Sequence, residues 1–262
     1  MTGSVGSLRI LISNDDGIHA NGLKVLETIA RNISDDVWIV APSSDQSAVS
    51  HSLTVRTPLR IHEISYKKYS ISGTPTDCVL TAVQLLMADH LPDLVLSGVN
   101  SGENLAEDVT YSGTIAAALE ATILGMPAVA FSMSIENDHP VKWATAEHWG
   151  PVVLEKILKL PIPSGVLMNV NFPNVVHRSV EGIKITHQGK RKIFNNITKR
   201  EDLCAIPYYW IGHDKERYDS TYEFAEIGTD LEAIGKKCIS VTPLSLDITH
   251  YKTLEQLKEL FA

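Results

Sequence analysis

The sequence predicts an α/β fold built on a mostly parallel sheet. Three observations carry this reading. From Leu8 to Val170, short runs of apolar, strand-forming residues alternate with segments of helical periodicity. Those runs repeatedly end in small polar or acidic residues, as strands do where they reach the open edge of such a sheet. Near Ile183 the alternation stops, so residues 183–262 are read as an extension that returns with one last strand and a C-terminal helix, after a core of residues 1–182.

The elements follow in order. Leu8–Ile12 is the first strand, with Arg9 its one charge, and a helix follows in which Leu23, Leu26, Ile29 and Ala30 share a face. Val37–Val40 is a second buried strand. Ser52–Val55, Leu59–His62 and Tyr69–Ile71 read as three short strands between turns. Thr74-Pro75-Thr76-Asp77 opens a helix running to about Met87: Thr74 caps it, proline fits its first position, and Asp77 is the reciprocal acidic partner. Pro92–Leu96 is the next strand, Ile115–Leu124 an alanine-rich helix, Ala128–Phe131 a strand, Lys142–Leu158 a helix and Val166–Val170 a strand. Beyond lie Ile183–His187, the basic run Lys190-Arg191-Lys192 and the aromatic cluster Tyr208-Tyr209-Trp210. Thr229-Asp230 caps a short helix to about Ile234, Ile239–Thr242 is the last strand, and a helix begins near Leu254. The 183–221 part reads as a hairpin-like arm for oligomerisation, and the basic run as a solvated edge, able to attract an anion only if it lies near a phosphate pocket.

Composition narrows the function classes. With 44% hydrophobic and 21% charged residues the chain has the make-up of a globular domain, not of a disordered one. A net charge of -8 argues against non-specific nucleic-acid binding. Cys78, Cys204 and Cys238 are widely spaced and form no metal-knuckle pattern, which fits reduced thiols in the cytoplasm. No secretory signal is read, and no apolar run is long enough to span a membrane.

Candidate chemistry gathers where strands end. Asn14-Asp15-Asp16-Gly17 follows the first strand, Ser43–Ser47 the second, and Ser97–Gly102 the strand after the capped helix. Adjacent carboxylates in such a crevice repel and lose solvation unless a cation neutralises them, and hard oxygen donors suit Mg2+, Mn2+ or Ca2+ better than zinc. A polar turn is the plainer account of the same four residues. Ser112-Gly113-Thr114 opens a helix whose free N–H groups are able to hold phosphate, although such a start is usually only a cap. A side chain at position 113 is expected to block that anion and leave a cation site alone. His51 is read as a loop histidine, and Cys78 as a small buried hydrophobe.

Taken together these stretches resemble the SurE (survival protein E) nucleotidases over nearly the whole chain. The resemblance rests on Asn14-Asp15-Asp16-Gly17-Ile18, Ala41-Pro42 with Ser47–Thr54, Gly73–Cys78, Ser97–Asn104, Tyr111–Thr114, Asn169-Val170-Asn171 and Ser240–Leu244, in that order. It implies a Rossmann-like three-layer core and a C-terminal extension exchanged in a homodimer or homotetramer. It also implies one divalent metal ion per subunit, Mg2+ or Mn2+, and hydrolysis of nucleoside 5'-monophosphates, with 3'-monophosphates and short polyphosphate as further substrates. By the same resemblance Asp15, Asp16, Ser47 and Asn100 are metal ligands, Asp15 and Asp16 are catalytic, and Asn104, Ser112, Gly113 and Thr114 bind the phosphate. Ala106 and Ala121 stand where the family often has glycine.

The chemistry agrees. A phosphomonoester dianion must be neutralised before a nucleophile approaches, and a divalent ion does this while acidifying a bound water. Direct attack by a carboxylate and attack by an activated water both remain open, and the water, with Asp15 or Asp16 as base, is favoured. The Asp-x-Asp of haloacid-dehalogenase phosphatases and the Gly-x-Gly-x-x-Gly of dinucleotide oxidoreductases are both missing after the first strand. A nucleotide-binding module without turnover is the alternative.

Overall fold

A computed structural model describes residues 8–136, 139–191, 194–213, 222 and 225–262. The strands are β1 (Arg9–Ser13), β2 (Asp36–Pro42), β3 (Ile61–Ser65), β4 (Lys68–Ile71), β5 (Leu94–Ser101), β6 (Ala128–Met133), β7 (Val166–Phe172), β8 (Gly182–Ile185), β9 (Phe194–Glu201), β10 (Pro207–His213) and β11 (Cys238–Ser245). The helices are α1 (Asn21–Arg31), α2 (Pro75–Thr81, continued by a π turn over Ala82–Leu86), α3 (Gly113–Ile123), α4 (Trp143–Ile157), α5 (Asp230–Gly235) and α6 (Tyr251–Phe261).

Nine strands form one sheet in the order β3-β4-β2-β1-β5-β6-β7-β11-β8. Pairing is parallel from β4 through β7, while β3 on β4 and β11 on β7 are antiparallel. The chain leaves β1 toward β2 on one side and returns to β5 on the other, so the crevice between β1 and β5 is the switch point where α/β sheets bind ligands.

Both faces are covered, which explains the unbroken apolar runs of the central strands. Ile10 and Ile12 of β1 face one core with Leu26 and Ile29 of α1 and Leu154 of α4. Leu11 faces the other, with Cys78 and Val79 of α2 and Ile115 and Ala118 of α3. Cys78 is therefore a core residue, as its sequence context suggested.

Several elements differ from expectation. Residues 52–55 form no strand. Their backbone is taken by the start of α2 instead: Thr54 N–H donates to Asp77 Oδ1 (3.0 Å), and the Thr74 hydroxyl donates to Ser52 O (2.7 Å). The capping box itself is as expected, with Thr74 accepting from Asp77 N–H at 3.1 Å and Asp77 accepting from Thr74 N–H at 2.8 Å. β3 starts at Ile61, two residues later than read, the last helix starts at Tyr251, and Ser97–Ser101, read as loop, continue β5.

After Ile183 the chain keeps contributing to the sheet, since β8 pairs with β11 and β11 with β7. The extension proper is the two-stranded antiparallel hairpin β9–β10, which forms a sheet of its own. Residues 214–221 of the expected arm, and Lys192 of the basic run, lie outside the described residues.

Candidate active site

β1 ends by delivering Asp15 and Asp16 into the switch-point crevice, and a loop, a strand end and a helix start close on them. From β2, Gln46 N–H donates to the backbone oxygen of Asp15 (2.9 Å), and the Ser44 carbonyl carbon lies 3.3 Å from where a Gly17 side chain would begin. From β5, Ser101 N–H donates to Asp16 Oδ2 (3.2 Å). From the start of α3, the Thr114 hydroxyl donates to Asp15 Oδ1 (2.5 Å). The structure thus brings together the three regions singled out in the sequence.

Asp15 is buried, with only 4% of its surface exposed. Burial pushes its carboxyl up to about 7; the Thr114 hydroxyl opposes this and the neighbouring Asp16 charge adds to it. Asp16 is also raised, first by burial and further by Asp45, against the pull of Ser101 N–H. Among the described residues neither carboxylate has an ion-pair partner. Two such groups without a counter-charge are what a bound cation would relieve.

The neutral donors have the polarity a cation needs. The Ser47 hydroxyl gives its proton to Asp45 Oδ1 (2.7 Å), which leaves oxygen lone pairs for a metal. Asn100 spends its Nδ2 on Gly102 O (2.8 Å), which leaves Oδ1 as an acceptor. Asn14 likewise donates Nδ2 to Gly17 O (3.0 Å), and its buried Oδ1 has no partner. Two carboxylates, a hydroxyl and an amide oxygen are a donor set for a hard divalent ion. Among the described residues no group of three or more His, Cys, Asp or Glu is placed to hold a metal, so any shell here is completed by neutral oxygens.

The strand geometry explains how Asn100 reaches the site. β5 slips register against β6 between Ser97 and Asn100, and Gly98 sits there with φ +119. A β-carbon on Gly98 would lie 2.2 Å from Phe131 O, so only glycine lets the two strands approach while the end of β5 turns.

Ser112 caps α3, accepting from Ile115 N–H at 3.1 Å. Gly113 then packs against Asp15: a β-carbon there would lie 2.7 Å from Asp15 Cβ and 3.0 Å from Oδ2. This corrects the expectation that a side chain at 113 leaves the cation site alone, because the helix start and the carboxylate are in contact. The Thr114 hydroxyl is spent on Asp15 and its backbone N–H also acts on that carboxyl, so what this turn has left for an anion is the Gly113 N–H and the Ser112 hydroxyl proton. Asn104 is more enclosed than its position in a polar loop suggests, and its Nδ2 donates to Ser132 Oγ (2.7 Å).

Sequence reasoning missed four things. Asp45, which orients Ser47, stood in a polar loop with no feature to mark it. Arg191, one of the supposed solvated run, is buried; its guanidinium binds Asp108 and Glu103, while Asp108 O accepts from Ser112 N–H (3.1 Å). Ala106 is left-handed (φ 52), a conformation that glycine adopts more readily. Its N–H donates to Asp230 Oδ2 (2.9 Å) and its carbonyl accepts from Gln188 Nε2 (2.9 Å). His51 is not a bare loop residue, since its Nε2 lies 2.8 Å from Glu120 Oε2 on α3. Ala121, by contrast, sits inside α3 in the core, where alanine serves the helix better than glycine.

Comparison with known proteins agrees with this architecture. Residues 10–195 match the family model described as survival protein SurE. The chain is 53% identical over 255 residues to the 5'-nucleotidase SurE of Paramagnetospirillum magneticum, covering 97% of this chain and 96% of that protein. It is 50% identical to the 5'-nucleotidase SurE of Parvibaculum lavamentivorans, covering 97% and 91%. The crystal structure of the SurE protein from Aquifex aeolicus superposes with a TM-score of 0.83 at 37% identity, over 97% of this chain and 100% of that one.

Proposed function

The chain belongs to the SurE family, and on that premise we propose that it is a 5'-nucleotidase hydrolysing nucleoside 5'-monophosphates to nucleoside and phosphate at the Asp15–Asp16 centre. The observation that carries the site assignment is the contact between the buried Asp15 and the first turn of α3. A carboxylate beside a phosphate-binding helix start would repel substrate in a mere binding module. With a divalent ion between them, it becomes the anchor of a phosphatase.

Asp15, Asp16, Ser47 and Asn100 are the residues that would hold one Mg2+ or Mn2+ per subunit. That ion supplies neutralisation of the phosphoryl charge and acidification of a water. The Thr114 hydroxyl, donating to Asp15 Oδ1 at 2.5 Å, favours the ionised carboxylate against the effect of burial. The backbone N–H groups opening α3 receive the phosphoryl oxygens, where preorganised dipoles act most strongly in a water-poor pocket. Asn104 gives one Nδ2 hydrogen to Ser132 and keeps the second for the phosphate. Asp16, less buried than Asp15 and held through Oδ2 by Ser101, is the base that takes the proton of the attacking water. In-line attack and phosphoryl positioning then supply most of the catalysis. Nucleoside 3'-monophosphates and short polyphosphate present the same terminal phosphoryl group.

A homodimer or homotetramer fits the unpaired apolar surface. On the hairpin, Ile197, Tyr209, Trp210 and Ile211 are all more than half exposed, and α6 buries none of its residues while exposing Leu257, Leu260 and Phe261. We assign these faces, with the boundary near residue 183, to contact with a second copy of the chain. Among the described residues no helix is long and apolar enough to cross a membrane, and all three cysteines are free thiols, which fits a reducing cytoplasm. The net charge of -8 favours no stable nucleic-acid complex.

The test is phosphate release from a panel of 5'- and 3'-monophosphates, each with and without Mg2+ or Mn2+. Tight nucleotide binding with no release under any ion would return the binding-module reading.

A further inference from the structure

The motif Asn169-Val170-Asn171 has no part in the chemistry above, yet both asparagines are fully buried on β7. Val170 between them faces the apolar core on the other side of the sheet. The two amides therefore look out on the same face, at the carboxyl end of a strand next to β6.

Both amides are spent on one residue. Asn171 Oδ1 accepts from Asn104 N–H (2.8 Å), while Asn171 Nδ2 donates to Asn104 O (3.1 Å). Asn169 Nδ2 donates to the same carbonyl (2.8 Å), and Asn171 Nδ2 also reaches Asn169 Oδ1 (3.2 Å). Asn104 has thus lost its chance of a backbone partner in any sheet, and the side chain of Asn171 replaces one, pairing with both its N–H and its C=O as a neighbouring strand would. Ser132, on β6 in register with Asn171, takes the Asn104 side chain. Every polar group in this knot is buried, so each missing bond would leave an unsatisfied group inside the protein.

We propose that Asn171, assisted by Asn169, is a positioning residue for phosphate recognition: it holds the backbone of Asn104 so that the Asn104 amide points into the phosphate cradle. This rests on the cradle reading of Asn104. Only a group that both donates and accepts at fixed spacing does this work, because Asp in its place keeps the acceptor and turns the donor into a second acceptor facing Asn104 O.

The test compares Asn171→Asp, Asn104→Ala and the double variant by melting temperature, KM, kcat, competitive inhibition by inorganic phosphate, and the Mg2+ concentration for half-maximal activity. The expected result for Asn171→Asp is a rise of about tenfold in KM and in the phosphate inhibition constant, from an Asn104 amide hydrogen bond lost at the anion, with the Mg2+ requirement unchanged. The double variant should bind phosphate no worse than Asn104→Ala alone, since residues acting through one group are not additive. Asn171→Ser, which keeps a small polar group in the space, carries the same comparison if the aspartate variant does not fold. Loss of melting temperature with an unchanged phosphate inhibition constant would overturn the proposal, as would full additivity in the double variant. If Asn104→Ala itself leaves phosphate inhibition unchanged, the cradle reading of Asn104 fails and the proposal falls with it. If Asn104→Ala weakens phosphate binding and Asn171→Asp does not, only the role of Asn171 fails.

Discussion

The Thr114 hydroxyl donates to Asp15 Oδ1 at 2.5 Å, joining the first turn of α3 to a carboxylate 99 residues earlier in the chain. The contact makes the proposed metal and phosphate sites one piece of structure. A change on either side is felt on the other.

Asp15 is costly to the ion-free protein, and this has a pH signature. Burial raises its folded carboxyl from 3.8 to about 7, so the folded state holds a proton the unfolded chain has released. The associated stability is complete below about pH 4 and is lost as pH rises through about 7. In chelator at pH 8, Asp15→Asn should therefore melt about 5 °C or more above the parent, with little difference at pH 4. Saturating Mg2+ should raise the parent's melting temperature and leave the variant's unchanged. A variant that melts lower than the parent at pH 8 in chelator would show that the carboxylate is not strained there.

Gly113→Ala separates a cap from a working contact. Its new β-carbon would meet Asp15 at 2.7 Å, so both the Mg2+ requirement and the phosphate inhibition constant should rise. A plain helix cap predicts the opposite, because alanine favours helix by about 1 kcal/mol and would stabilise the protein without altering either constant. Titrating Mg2+ and phosphate against the same preparation distinguishes them.

The hairpin prediction concerns assembly. Removing residues 194–213 takes away Tyr208, Tyr209 and Trp210, aromatic residues of the kind enriched at subunit contacts. The truncated chain should run as a smaller species than the full chain in light scattering. An unchanged oligomeric mass would move the interface elsewhere.

Much of the fold was legible because periodicity reports burial, and the central strands are buried on both faces. Leu11, Val40 and Val95 read as strand residues for the same reason that they are core. The 52–55 segment was misread because its alternation, Ser52-Leu53-Thr54-Val55, is that of a strand, whereas its hydrogen bonds go to Thr74 and Asp77. That the segments at the ends of β1, β2 and β5 come together was legible because strands of a parallel sheet end on one edge, where their polar residues collect. What lies behind them was not. Arg191, Asp230 and Asn171 act on the loop from Glu103 to Asp108 across separations of 67 to 124 residues, and local pattern carries no record of such pairs. Lys190-Arg191-Lys192 looked like a solvated edge because its charge is visible in the sequence and its counter-charges are not.

The most direct test of the central claim is phosphate release from a nucleoside 5'-monophosphate by one preparation, assayed before chelation, after exhaustive chelation, and after Mg2+ is restored. Asp16→Asn is assayed beside it. Activity should fall to background without the ion and return with it, while Asp16→Asn stays about a hundredfold or more below the parent throughout. Full release after chelation, or near-parental turnover by Asp16→Asn, would contradict a catalytic centre built on these two carboxylates.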